Sequence, residues 1–114
     1  MDSILETTKT LSGVMEEYET FNTDLIMYIN NVFFTLKQLG VGPKEGFVIE
    51  DESATWSDFI PDNASLREAV KSYMGNKVRL KFDPPTSSVL LEALNRDVVE
   101  SEWRFNVEAE TPMT

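Results

Sequence analysis

The sequence predicts a mainly α protein, a small bundle of about four helices with a long ordered loop and at most one short strand or hairpin. Three observations predict it. Apolar residues recur at three- and four-residue spacing over 25–39, 66–82 and 90–105; Gly40 and Pro84-Pro85 punctuate those runs; and between Val41 and Pro61 the period is lost while aromatic residues persist. At 114 residues the chain is one domain, drawn here as 1–107 followed by a tail at 108–114.

Ser3, with Glu6 three residues later, offers a cap for a short first helix whose thin apolar edge is Ile4, Leu5 and Leu11 and whose end is Gly13. The acidic run Glu16-Glu17-Tyr18-Glu19 reads as a solvated approach to the next element, or as an arm that orders against a partner. The second helix is the most strongly specified. Asn22 or Thr23 caps it, Asp24 complements the helix dipole, and Leu25, Ile29, Val32, Phe33, Leu36 and Leu39 form one stripe before a left-handed cap at Gly40. Ile26, Met27, Tyr28 and Phe34 add apolar bulk outside the stripe, which predicts a helix enclosed on most sides. Asn30 and Asn31 read as partly exposed polar positions rather than ligands.

The stretch from Val41 to Pro61 is a long loop in which Phe47-Val48-Ile49 could form one short strand. Its Trp56, Phe59 and Ile60 argue for order, either closing one end of the helical core or meeting a partner, and Thr55-Trp56-Ser57-Asp58-Phe59 reads as a turn pinned by its aromatics.

The stretch from Ala64 to Asn106 is a helical hairpin around which the rest is organised. Ser65 and Glu68 form a capping-box pattern, followed by Leu66, Ala69, Val70, Tyr73, Lys77 and Leu80 on one face with Met74, Val78 and Phe82 beside them. Gly75 costs a helix about 1 kcal/mol relative to Ala and marks a tolerated weak spot, a bend or the approach of another backbone. Pro84 and Pro85 end this helix near Phe82 or Asp83. Thr86, Ser87 and Ser88 are candidate caps for the last helix, whose main stripe is Leu90, Leu91, Leu94, Val98, Ser101, Glu102 and Phe105. Val89, Ala93, Arg96, Val99 and Trp103 make a second stripe, wider than one small core can cover, which points to a neighbouring subunit or to burial between two other helices.

Composition narrows the chemistry. With no Cys and no His, the residues of a thiol site, a hydrolase triad, a zinc site or a haem site are missing, so no catalytic residue, cofactor or metal ligand is assigned. Glu50, Asp51, Glu52 and Asp58 cluster without calcium-loop spacing and read as a solvated patch. Gly40-Val41-Gly42-Pro43 lacks the Lys-Ser or Lys-Thr of a phosphate loop. Glu92 with Arg96 and Glu100 with Arg104 are surface pairs at four-residue spacing, while Lys71, Lys77, Arg79 and Lys81 snorkel or pair with the acidic surplus. A net charge of −10 disfavours gripping phosphate backbones, and no apolar run has the length of a membrane span. A cytosolic product without a leader is expected.

The ordered run Ile29-Asn30-Asn31-Val32-Phe33, Leu39-Gly40-Val41-Gly42-Pro43, Gly46-Phe47, Ile49-Glu50-Asp51, Trp56-Ser57-Asp58-Phe59, Val78-Arg79-Leu80, Phe82-Asp83-Pro84-Pro85 and Glu102-Trp103-Arg104-Phe105-Asn106 resembles the small head–tail connector (head-completion or adaptor) proteins of tailed bacteriophages, over residues 20–107. The chain departs from that pattern at Gly75, where a bulkier residue is expected. The resemblance implies a structural, non-enzymatic protein of the virion neck, made in the bacterial host cytoplasm. It implies a ring of about twelve copies seated on the portal protein, extending the DNA channel and meeting the next neck or tail-completion protein. DNA would pass without sequence-specific binding, and no membrane is involved. Trp56, Phe59, Val99, Trp103 and Phe105 are the expected subunit or partner contacts. A different class of function fits the same charge: a small acidic regulatory module that masks a basic protein.

Overall fold

The computed structural model describes residues 3–13 and 22–110. Its elements are α1 (Ile4–Ser12), α2 (Asn22–Gln38), α3 (Trp56–Phe59), α4 (Ala64–Phe82) and α5 (Ser88–Glu110). The mainly α bundle expected from the sequence is what forms, α3 being a single turn beyond the four long helices. Among the described residues there is no strand, and the one β-type pairing is an isolated antiparallel bridge between Ser3 and Thr55.

α4 is the hub, packing against α1, α2 and α5. Its inward side is Val70, Tyr73, Met74, Gly75 and Val78, all buried. Gly75 is there because α1 crosses at that point: a Cβ added to it would lie 2.9 Å from the Leu11 Cβ. Of the three readings of this glycine, close approach is the one realised. α1 itself starts where Ser3 Oγ accepts from the Glu6 N–H, ends at the Gly13 cap, and is tied to the loop by the Ile4 N–H donating to the Ala54 carbonyl at 3.0 Å. The run 16–19 lies outside the described residues.

α2 buries Leu25, Ile29, Val32, Phe33 and Leu36 as its stripe predicts. At its end the Val41 N–H donates to the Leu36 carbonyl (2.8 Å) and the Gly40 N–H to that of Lys37 (3.0 Å), a Schellman closure with Gly40 at φ 89°. Enclosure on most sides does not follow, because Met27 and Phe34 stand exposed. No helix covers that side of α2 among the described residues.

The loop closes over the core. Phe33 on α2 meets Phe59, Phe47 and Trp56 at centroid distances of 4.7, 5.2 and 6.3 Å. Gly42, at φ 91°, leaves the space that the Phe59 ring occupies; a Cβ there would clash with the ring. Phe47-Val48-Ile49 is not a strand because its hydrogen bonds go to a side chain. The Asn30 amide accepts from the Ile49 N–H at 2.8 Å and donates to the Ile49 carbonyl at 3.0 Å, doing for one residue what a neighbouring strand would do. α3 carries a reciprocal capping box: Thr55 Oγ1 accepts from the Asp58 N–H and the Asp58 carboxylate from the Thr55 N–H.

Two boundaries differ from the sequence reading. Asn63, not Ser65, caps α4, its Oδ1 accepting from the Leu66 N–H, while Glu68 turns outward to Lys71 at 2.8 Å. Arg67 fixes this earlier start by donating to the carbonyls of Ile60 and Pro61 across the entering turn. At the other end α5 continues through Glu110, beyond Asn106, where the sequence reading ends the hairpin. Ala109 in this last turn packs against Gly40, where a Cβ on the glycine would meet the alanine Cβ.

Candidate functional site

Ser87 precedes α5, its hydroxyl accepting from the Leu90 N–H and its carbonyl from that of Leu91. From there α5 lies on α4, and of its described residues Val98 and Phe105 alone are buried. Phe105 stacks edge-on against Tyr73 at 5.4 Å. Between the two helices the Tyr73 hydroxyl donates to Glu102 at 2.6 Å, with Lys77 Nζ 4.0 Å from the same carboxylate oxygen. Burial first, and then the bond to Glu102, hold the Tyr73 phenol well above its ordinary pKa; burial and the Glu102 charge raise Tyr28 as well. A charged residue on each of the two facing stripes, Lys77 and Glu102, was the signal in the sequence for this junction.

The other side of α5 is open. Val89, Leu90, Val99 and Trp103 project from it, the last two 64% and 65% exposed. Arg96 sits within this stripe and forms no ion pair with another described residue, so the expected Glu92–Arg96 pair is not made, whereas Glu100–Arg104 is, at 2.7 Å. An isolated i,i+4 pair is worth a few tenths of a kcal/mol, too little to fix two solvated side chains.

The five residues expected at an interface therefore divide. Trp56, Phe59 and Phe105 lie inside the protein's own core, where Phe33, Phe47 and Tyr73 cover them. Val99 and Trp103 stand together on the open face of α5.

A second apolar surface was not anticipated. Phe34 and Val48, 57% and 67% exposed, flank a shallow groove of about 210 Å³ between α2 and the loop, with Asn30, Lys37, Glu45 and Phe47 completing its walls. Lys37 Nζ lies 5.9 Å from the Phe34 ring centroid. Met27 and Phe34 are seven residues apart, outside the buried stripe of α2, a pattern that hinted at a second face.

The loop carboxylates do not converge. Asp58 is committed to its capping box, and Asp51 to Ser53, whose hydroxyl and N–H hold that carboxyl below its ordinary range. Among the described residues no group of His, Cys, Asp and Glu is placed to hold a metal, and no helix is long and apolar enough to cross a membrane. What the described surface offers is one convex apolar stripe and one apolar groove, on different helices.

Comparison with known proteins agrees with this character. No curated protein and no solved structure matches the chain. The family model described as phage connector protein matches residues 4–112, nearly the whole sequence. The chain, a helical bundle whose notable surfaces are apolar faces, thus belongs to the phage connector protein family and has a structural role in the virion.

Proposed function

We propose that this chain joins head to tail as a ring in the phage neck. In this reading about twelve copies close a ring on the portal protein through a heterologous contact, one face of each subunit meeting a different face of the next. The ring extends the DNA channel and presents its far side to the next neck or tail-completion protein. The observation that carries the reading is the uncovered stripe of α5, Val99 and Trp103 above all, in a chain of the connector family. A net charge of −10 suits a passage through which DNA slides, since repelled phosphates are not trapped.

The test is the solution mass, by native mass spectrometry or light scattering over a range of concentrations, with and without the portal protein. A closed high-order particle, alone or only on the portal, is the expected result. A monomer indifferent to portal overturns the ring, and specific capture of a basic protein by that monomer would favour the regulatory module instead.

A further inference from the structure

We infer that the contact between neighbouring copies seats the α5 stripe of one chain in the groove between α2 and the loop of the next, with Trp103 anchored between Phe34 and Val48. This rests on the reading of the chain as a self-associating connector. Four features of the molecule support it.

The two surfaces are complementary in shape and share no residue. The stripe is the convex side of a helix, and the groove is concave and lined by Phe34, Phe47 and Val48. The groove is also the right size for a side chain: about 210 Å³ falls below the roughly 300–1,000 Å³ of small-molecule sites and accommodates one aromatic anchor. Within it, Lys37 above the Phe34 ring provides a cation and an aromatic edge, the surroundings an indole favours.

Charge selects the same pairing. Two copies at −10 repel, so a stable contact needs a local cation opposite an acidic rim. Arg96, within the stripe, forms no ion pair with another described residue, and Glu45 stands exposed in the wall of the groove. Two α5 stripes placed against each other would instead oppose Arg96 to Arg96. Finally, unlike faces on one chain give a head-to-tail contact, the only kind that propagates into a ring; a stripe-to-stripe contact stops at a dimer.

The absence of native cysteine makes the test direct. Chains carrying both Val99→Cys and Val48→Cys are assembled, treated with a short bis-maleimide cross-linker and run under denaturing conditions, beside each single variant. The double variant is expected to give a ladder extending beyond dimer, and the single variants none. Dimers from Val99→Cys alone, cross-linking of Val99→Cys to portal rather than to a second copy, or an assembled particle in which the double variant stays unlinked overturns this pairing while leaving assembly intact. A chain that remains monomeric with and without portal overturns assembly and the pairing together. As an independent readout, Trp103→Ala is expected to weaken self-association by about 10- to 30-fold with an unchanged melting temperature, the penalty of losing an interface anchor. An unchanged association constant removes Trp103 from the contact.

Discussion

Beside its aromatic contacts, the long loop is held to α2 by the Asn30 amide. Asn30 holds both backbone groups of Ile49, whose side chain is buried, at 2.8 and 3.0 Å across nineteen positions of sequence. Asn30→Ala leaves a donor and an acceptor without partners in a partly buried place. Each such group costs about 1–3 kcal/mol, and partial access of water puts both near the lower end, so the expected loss is about 2–3 kcal/mol. With a urea slope of about 1–3 kcal/mol/M, that moves the midpoint down by about 0.7–3 M. Asn30→Asp separates the two bonds. At neutral pH its carboxylate keeps the acceptor for the Ile49 N–H but sets an oxygen against the Ile49 carbonyl, so it should lose at least as much as the alanine variant. Acidification restores a donor by protonating the new carboxyl, and the deficit relative to the parent protein should shrink. The measurements are urea titrations at neutral and mildly acidic pH, together with exchange of the Ile49 amide. If Asn30→Ala stays within about 0.5 kcal/mol of the parent and the Ile49 amide remains protected, the loop is held by its aromatics and the reasoning is wrong.

Three further outcomes are expected. Trp56→Ala should destabilise the fold by about 3–5 kcal/mol in denaturant titrations, because a large, fully buried side chain leaves a cavity among Phe33 and its neighbours; a small loss would show that the loop does not close the core. Gly75→Ala gains about 1 kcal/mol of helix propensity but sets its Cβ 2.9 Å from that of Leu11, an overpacking cost of about 1–3 kcal/mol, so the melting temperature should fall, and Leu11→Ala, which keeps the offending Cβ, should not rescue it. Tyr73 has its folded pKa raised above the unfolded value of about 10, so its contribution to stability is intact below that pH and is lost as pH rises through the alkaline range; Tyr73→Phe should flatten the fall in urea midpoint above about pH 10, and an unaltered slope would separate the phenol from it.

Features written in neighbouring residues were legible in the sequence. The α2 stripe, the Gly40 closure, the first helix between Ser3 and Gly13 and the stop at Asp83 all follow from spacing, caps and proline. The start of α4 was not, because Ser65-x-x-Glu68 is as good a local pattern as the one used; Arg67 reaching back to Ile60 and Pro61 favours Asn63. The clamp of Asn30 on Ile49 has no local signature at all. On α5 the excess apolar width anticipates the exposure of Val99 and Trp103, whereas the burial of Trp56, Phe59 and Phe105 follows from where Phe33, Phe47 and Tyr73 come to lie. The groove could not be read in advance, since concavity arises only when α2 and the loop are brought side by side.

The crossing of α1 over Gly75 also has a consequence in time. The α4–α5 hairpin joins near neighbours in sequence and closes a short loop, the kind of contact that forms quickly. The partner surface of α1, by contrast, lies more than sixty positions downstream of Leu11, so during synthesis the first helix is made long before the glycine it must meet. Its thin apolar edge, with Thr8, Lys9 and Ser12 on the side that will be buried, suits such a wait, because a more hydrophobic segment would find other company first. α1 thus docks on a surface that is synthesised well after it, and the space left at position 75 is what that docking needs.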